Sequence, residues 1–255
     1  MTICYFTATG NCLYAARKIG GNLLSIPQLM RQDRIEIADE AVGIVCPCYA
    51  GEMPVMVRNF LSRAIIKTDY FFFIYTYGMG VGEALAHAKL ASEKAGLRLS
   101  YANMIQMVDN YLPGFEMQNQ KDTLPAKDVE GQLLKVCQDI EKRTEKEIVV
   151  NAAVRAKMAM FKKMLADRIL KGDTAQHYLI DEKCIHCGIC AKVCPADNIT
   201  VTDTAVSFSD RCEVCYACLH NCPQNAIHMK QEKSSVRFRN GQVSLKDIIE
   251  ANERR

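Results

Sequence analysis

The 255-residue sequence contains no tryptophan, little net charge and no long apolar run. Its formal net charge of +3 is too small to indicate a nucleic-acid-binding protein. The longest apolar candidate, Tyr70–Tyr77, is far shorter than the roughly 20 residues that a membrane-spanning helix needs. We therefore expect neither a nucleic-acid partner nor a membrane span.

Cysteine is abundant by contrast, and most of it is arranged in two equivalent ladders near the C-terminus. Each ladder has the spacing C-x2-C-x2-C-x3-C-P, and the second repeats the first after 28 residues. Zinc sites favour two separated C-x2-C pairs, whereas this spacing is typical of iron–sulfur ligands. The ladders consist of Cys184, Cys187, Cys190 and Cys194, then Cys212, Cys215, Cys218 and Cys222.

The double ladder resembles that of bacterial two-cluster ferredoxins, in which the fourth cysteine of each run ligates the other cluster. This resemblance implies two 4Fe-4S clusters and one-electron transfer. It implies one ligand set of Cys184, Cys187, Cys190 and Cys222, and another of Cys212, Cys215, Cys218 and Cys194. His186 and His220 lie inside the ladders, and we expect them to be surface histidines, with hydrogen bonds to cluster sulfur as the alternative.

Disulfides are a poor alternative for these cysteines, because they require an oxidising compartment. The sequence shows no basic, apolar and small-residue leader of the kind that forms a signal peptide. Clusters together with reduced cysteines therefore predict a cytoplasmic protein, from a cell that lives with little oxygen.

The first half of the chain alternates strand-like and helix-like segments. Strands are predicted at Thr2–Phe6, Ile35–Ile37, Ala41–Cys46, Tyr70–Tyr77 and within Arg98–Val108. Helices are predicted at Asn11–Leu24, Val55–Ile66, Gly82–Ala95 and Leu124–Glu147. This alternation predicts an α/β doubly wound parallel sheet, whose ligands bind at the carboxyl ends of the strands.

The segment between the first strand and the first helix has the composition of a phosphate loop. Hydroxyl and amide side chains, a glycine and the N–H groups of a helix N-terminus together attract an anion. The residues are Thr7, Ala8, Thr9, Gly10, Asn11 and Cys12. They resemble the flavodoxin phosphate loop [ST]-x-T-G-x-[ST], except that Cys12 stands where a hydroxyl is usual.

Further loops at the ends of later strands resemble the flavodoxin loops that wrap the isoalloxazine ring. Their candidate cofactor-binding residues are Pro47, Tyr49, Ala50, Gly51, Thr76, Tyr77, Gly78, Gly80, Asp109 and Tyr111. Tyr49 and Tyr77 are candidates for stacking on the ring, and the glycines permit close backbone approach.

The whole chain thus resembles the flavodoxin–ferredoxin fusion protein family. The resemblance implies a flavodoxin-like FMN-binding domain at 1–150 and a small α+β two-cluster ferredoxin-like domain at 175–230. Residues 151–174 are expected to form a basic helical connector, whose charged face is solvated or docks an acidic partner. Residues 231–255 form a C-terminal extension, in which Ser244 and Asp247 predict a capping box before a short helix.

The implied function is electron transfer between the two clusters and bound FMN, with unidentified redox partner proteins. One alternative is a flavin-dependent reductase of a small organic substrate, with a pocket lined by Tyr77, Met79, Asp109 and Tyr111. Another is a ferredoxin whose flavodoxin-like domain is empty and serves only for docking, which the Cys12 departure favours.

Overall fold

The structure is a computed structural model that describes residues 1–161 and 178–253. Its N-terminal half alternates strands with helices, as the apolar periodicity predicts. The elements are β1 (Thr2–Tyr5), α1 (Asn11–Ile19), β2 (Asn22–Ser25), α2 (Ile26–Leu29), β3 (Glu36–Ala38), β4 (Ala41–Pro47), α3 (Val55–Arg63), β5 (Ile65–Lys67), β6 (Tyr70–Tyr77), α4 (Ala84–Lys94), β7 (Leu99–Gln106), α5 (Met117–Asp122), a 3₁₀ helix (Leu124–Lys127), α6 (Val129–Glu141) and α7 (Ala152–Phe161).

Five strands form one parallel sheet in the order β2-β1-β4-β6-β7. Numbered within the sheet, this order is 2-1-3-4-5, which is the flavodoxin-like order of doubly wound folds. The central strands β4 and β6 are buried along nearly their whole length, because helices cover both faces of such a sheet. The predicted α/β doubly wound parallel sheet is confirmed.

The edge strand of this sheet differs from the one that the sequence predicts. The predicted helix Asn11–Leu24 ends early, because Gly20 and Gly21 adopt positive φ angles of 86° and 94° that helical residues do not. The chain leaves the helix there and enters β2, which pairs with β1. The strand predicted at Ile35–Ile37 exists as β3, but it pairs with β5 outside the main sheet.

Two other predicted helices are also too long. The segment Val55–Ile66 is helical only to Arg63, and the chain then forms β5 beside β3. The segment Leu124–Glu147 begins with the 3₁₀ turn, and Asp128 then caps α6 by accepting a hydrogen bond from the N–H of Gly131. In both places the composition suits one long helix, but part of the segment instead forms a short separate element, β5 or the 3₁₀ helix.

The C-terminal half contains the predicted internal repeat. The elements are β8 (Tyr178–Ile180), α8 (Ile189–Lys192), β9 (Ile199–Val201), β10 (Val206–Phe208), α9 (Ala217–His220), β11 (Ile227–Met229) and α10 (Leu245–Asn252). Helices α8 and α9 occupy equivalent positions in the two ladders, and each is followed by a strand, β9 or β11. Strand β9 pairs with β10, and β11 pairs with β8, both antiparallel.

Helix α10 begins with the predicted capping box, in which Ser244 and Asp247 exchange side-chain and backbone hydrogen bonds. The predicted basic connector is described only as far as α7, and its later lysines and arginines lie outside the described residues. Lys157 of α7 forms an ion pair with Glu83, with 3.7 Å between Nζ and Oε1. None of the helices within 1–161 and 178–253 is long and apolar enough to span a membrane.

Residues of both halves pack in the same hydrophobic clusters. The cluster around the main sheet contains Val193 and Ala217 from the ladder region. The cluster around the ladders contains Leu112 and Met117 from the N-terminal half. Apolar burial therefore stabilises the two halves jointly, since separating them would expose core side chains to water.

A half-buried ion pair between the two halves adds directional contacts to this shared packing. Arg31, which follows α2, bonds both carboxylate oxygens of Asp197, with Nε–Oδ2 and Nη2–Oδ1 distances of 3.0 and 2.8 Å. The same guanidinium donates to the carbonyl oxygens of Asn252 and Glu253 at the end of α10. Bidentate geometry of this kind fixes orientation as well as distance.

A substitution at Gly43 in β4 would test how tightly the central strands pack. It pairs directly with Phe72 of β6, and a Cβ at this position would lie 2.1 Å from two atoms of the Phe72 ring. Because Phe72 is fully buried and cannot move aside, Gly43→Ala should lower the free energy of unfolding by about 1–3 kcal/mol. Anaerobic urea denaturation measures this loss.

Gly241→Ala is the matched control, since among the described residues no heavy atom lies within 4 Å of its added Cβ. Equal losses for the two variants would contradict the packing argument.

Candidate functional site

A cavity of about 300 Å³ lies at the carboxyl ends of β1, β4, β6 and β7. Pockets for small molecules and cofactors begin at about this size. The sequence-predicted cofactor residues line it, with the exception of Gly10. Those lining it are Thr7, Ala8, Thr9, Asn11, Cys12, Pro47, Tyr49, Ala50, Gly51, Thr76, Tyr77, Gly78, Gly80, Asp109 and Tyr111. We call this space the strand-end cavity.

The loop between β1 and α1 presents unsatisfied donors to the strand-end cavity. Within the described residues, α1 has no side-chain N-cap hydrogen bond. The hydroxyl of Thr7 is buried and has no hydrogen-bond partner among the described residues. A buried hydroxyl left unpaired is costly, and the first N–H groups of a helix need partners from outside it. A bound anion such as phosphate would satisfy both.

Gly10 lies in this loop where the loop contacts the C-terminal segment. Its φ is +98°, and an added Cβ would lie 2.9 Å from Cβ of Val243 and 3.1 Å from Cβ of Asn240. Glycine is therefore needed here because the C-terminal segment packs tightly against the loop.

Cys12, the departure from the flavodoxin pattern, is buried at the start of α1. Its Sγ lies 3.1 Å from Oγ1 of Thr76 on the neighbouring loop. Burial raises the pKa of the Cys12 thiol to about 12, against a smaller lowering by the Thr76 hydrogen bond. The thiol is therefore neutral at physiological pH and adds no negative charge beside the loop.

Asp109 joins two of the loops that bound the cavity. Its carboxylate accepts hydrogen bonds from the N–H groups of Met79 and Tyr111, at 3.2 and 3.0 Å. A Cβ on Gly78 would lie 2.1 Å from Cβ of Asp109, so glycine permits this close approach. Burial raises the pKa of Asp109, although these N–H groups and Lys127 act in the opposite direction.

Tyr49 lies in the loop after β4 and packs edge-on against Phe6, with ring centroids 6.5 Å apart. Its hydroxyl is enclosed and has no hydrogen-bond partner among the described residues. Burial, followed by the proximity of Cys215, raises the pKa of the Tyr49 phenol well above its usual range. Tyr49 therefore lies at the boundary between the strand-end cavity and the second ladder.

Two smaller cavities lie among the ladder cysteines, and each collects three cysteines of one ladder with the fourth of the other. The first cavity is lined by Cys184, Cys187, Cys190 and Cys222. The second cavity is lined by Cys212, Cys215, Cys218 and Cys194. These are the two sets that the resemblance to two-cluster ferredoxins implies. Within 1–161 and 178–253, no three His, Cys, Asp or Glu side chains converge closely enough to hold a single metal ion.

Backbone N–H groups point at the fourth cysteine of each ladder. The N–H of Asn198 donates to Sγ of Cys194, and the N–H of Ala226 donates to Sγ of Cys222, both at 3.3 Å. Such donors stabilise a thiolate and tune the iron that it would bind. The two repeats therefore present equivalent sulfur environments at these positions.

The two cysteine cavities differ in exposure. Cys187 is exposed, and the neighbouring Ile185 is 62% exposed, so the first cavity borders solvent. Cys215 and Cys218 of the second cavity are only 7% and 8% exposed. Cys215 and Cys218 are buried where the second ladder, through Val214 and Tyr216, packs against the loops of the strand-end cavity.

Tyr216 lines both the second cysteine cavity and the strand-end cavity. Its ring centroid lies 5.8 Å from that of Tyr111, and Val214 lines the strand-end cavity beside it. Sequence reasoning missed Val214 and Tyr216. One sequence signal could have identified them: the repeat is asymmetric at these two positions. The first ladder has His186 and Gly188 where the second has Val214 and Tyr216.

His220 is buried, contrary to the expectation of a surface histidine. Its Nε2–H donates to the carbonyl of Asn110 at 2.8 Å, and its Nδ1 accepts from the N–H of Phe238 at 3.1 Å. Burial lowers the pKa of His220 to about 4, so the ring is neutral and both bonds suit this tautomer. His220 therefore connects the second ladder, the loop after β7 and the C-terminal extension.

Residues 177–200, around the first ladder, match a family model described as a 4Fe-4S binding domain. This match indicates iron–sulfur electron transfer. No curated protein sequence matches the chain. Among solved structures, the chain is similar to the metal-soaked flavodiiron core of Flv1 from Synechocystis sp. PCC6803, at 14% identity and a TM-score of 0.30. The alignment covers 55% of this chain and 36% of that one.

Glu213 of the second ladder caps a helix of the flavodoxin-like half. Its carboxylate accepts the N–H of Met56 at 3.2 Å and also that of Val55, at the start of α3. Helix α3 follows Pro54 and has no side-chain cap of its own. Glu213→Ala should therefore lower the free energy of unfolding by about 0.5–2 kcal/mol, whereas Glu213→Gln, which keeps an acceptor, should lose less.

Hydrogen–deuterium exchange of the first turn of α3, with anaerobic urea denaturation, measures the effect of Glu213. The exposed Glu141→Ala on α6 is the control, and it should leave exchange in α3 unchanged. Unaltered protection of α3 in Glu213→Ala would show that the cap contributes nothing.

Proposed function

We propose that the protein transfers electrons between two 4Fe-4S clusters and a bound FMN, and exchanges them with redox partner proteins. One observation carries this proposal: Tyr216 lines both the second cysteine cavity and the strand-end cavity. A cluster in the one and a flavin in the other would then be neighbours. Clusters carry single electrons and a flavin carries one or two, so the pair would connect one-electron carriers to a two-electron partner.

The cysteine grouping supports two clusters. Each small cavity is lined by four thiols, and four cysteine ligands are what a 4Fe-4S cluster takes. The family match covers only the first ladder, and the equivalence of the second in spacing and in N–H···S contacts extends the proposal to it. As in the implied ligand sets, Cys194 and Cys222 would bind across the repeat.

The loop after β1 supports FMN over an empty docking domain. The unpaired Thr7 hydroxyl and the uncapped start of α1 both fit a phosphate. A domain that served only for docking would have no use for a buried hydroxyl without a partner. The cavity also lies at the lower end of the size range for ligand pockets, which favours a cofactor alone over a cofactor with an additional substrate.

The difference in exposure suggests an order for the electron path. The first cluster would lie beside the exposed Ile185 and Cys187, where a partner protein can approach it. The second cluster would lie in the interior, next to the strand-end cavity. Electrons would therefore enter or leave through the first ladder.

The crossed ligand sets can be tested by pairing variants. Cys222→Ala and Cys187→Ala should abolish the same paramagnetic resonance signal of the reduced protein, since both residues line the first cavity. Cys194→Ala and Cys215→Ala should abolish the other signal. If Cys222→Ala and Cys215→Ala instead removed the same signal, each ladder would hold its own cluster.

The function is tested by reducing the flavin from outside. Protein reconstituted anaerobically with iron, sulfide and FMN is mixed with a reduced ferredoxin, which is too large to enter the strand-end cavity. The clusters should then pass electrons to the flavin, and the absorbance of the oxidised flavin should decrease. Cys194→Ala, which lacks one ligand of the second cluster, should lose this bleaching while FMN remains bound.

Cys137→Ala is the matched control, because Cys137 lies on α6 outside the ladders. An unchanged bleaching rate in Cys194→Ala, with its cluster absent and its FMN content verified, would refute the proposed path.

A further inference from the structure

Three consecutive carbonyl groups of the loop after β1 accept hydrogen bonds from the C-terminal half. The side-chain amide of Asn252 donates to the Thr7 carbonyl at 3.1 Å. The side-chain amide of Asn221 donates to the Ala8 carbonyl at 3.3 Å, and the backbone N–H of Asn240 donates to that of Thr9 at 2.8 Å. Asn221 and Asn252 are almost completely buried, at 3% and 0% exposure.

The same two side-chain amides also hold the helical turns of the ladders. Asn221 donates a second hydrogen bond to the Ala217 carbonyl at 2.9 Å, next to Cys218. Asn252 donates a second one to the Val193 carbonyl at 3.1 Å, next to Cys194. An amide group has two N–H donors, and in each asparagine one serves the loop and the other serves a ladder.

Peptide geometry gives these contacts a consequence for anion binding. In a planar trans peptide unit, the N–H points opposite to the carbonyl of the preceding residue. The three asparagines do not line the strand-end cavity, so carbonyls directed at them point away from it. The N–H groups of Ala8 and Thr9, two residues that line the cavity, are thereby turned towards it. Successive N–H groups aimed at one point form an anion-binding nest.

We propose that Asn221 and Asn252 are positioning residues for the phosphate group of the flavin cofactor. They fix the loop in the conformation that binds phosphate, although they do not touch the phosphate themselves. The inference rests on the proposed function, because it presupposes FMN in the strand-end cavity. It adds that the affinity for the phosphate end of the cofactor is set by residues of the C-terminal half of the chain.

A comparison of FMN with riboflavin separates positioning from general stabilisation. The two ligands share the isoalloxazine ring and the ribityl chain, and only FMN carries the phosphate. Loss of the loop conformation should weaken FMN and leave riboflavin unaffected. A general loosening of the cavity should weaken both.

The experiment titrates FMN and riboflavin, by quenching of flavin fluorescence, into flavin-free protein that retains its clusters. Asn221→Ala and Asn252→Ala should each weaken FMN binding by about 10- to 100-fold, and riboflavin binding should not change. Asn221→Leu and Asn252→Leu keep the side-chain size without a donor or a charge, and should behave in the same way. Cluster resonance signals verify that each variant is folded.

Asn59→Ala, at an exposed position of α3, is the control and should leave both affinities unchanged. If the Asn221 and Asn252 variants lost affinity for both flavins equally, or for neither, the inference would be wrong while the proposed function stood. If the unmodified protein bound riboflavin as tightly as FMN, the FMN proposal itself would fail.

Discussion

The packing of the second cysteine ladder against the loops at the strand ends is the contact on which the rest of the structure depends. It buries Cys215 and Cys218, brings Tyr216 to the strand-end cavity and lets Glu213 cap α3. His220 shows how a polar side chain bonds across this surface, since both of its ring nitrogens have partners there. An interface with these properties resembles a protein interior more than the surface between two independent domains.

This contact explains why two nearly equivalent repeats have different environments. In the first ladder, His186 and Gly188 line the first cysteine cavity and are only half-buried. In the second ladder Val214 and Tyr216 occupy the equivalent positions and are buried. The repeat thus provides two similar sulfur environments with different access, which is what a relay between the surface and an interior site requires.

Much of this arrangement could be predicted from local sequence, because spacing and periodicity act over a few residues. The resemblance of the ladders to two-cluster ferredoxins implies the grouping of the cysteines, and the predicted strand ends indicate the loops around the cavity. The apolar periodicity of Asn11–Leu24 continues past Gly20 and Gly21, so it does not reveal that the helix stops there and that β2 forms the edge strand. Asn221 and Asn252 could not be found in this way, since their partners in the loop after β1 lie more than 200 residues away along the chain. Such contacts depend on how helices, strands and loops pack against one another, and the local sequence of each element does not reveal this.

The shared hydrophobic packing of the two halves also determines which steps of electron transfer would depend on protein concentration and ionic strength. Transfer between carriers on separate proteins waits for a diffusional encounter, whose rate varies with concentration and, for charged surfaces, with ionic strength. Here the second ladder and the strand-end cavity are held together by Ala217 and the contacts of Asn221. In the proposed path, dilution and salt would therefore govern only the arrival of the partner at the first ladder, and the internal step would proceed at a fixed separation.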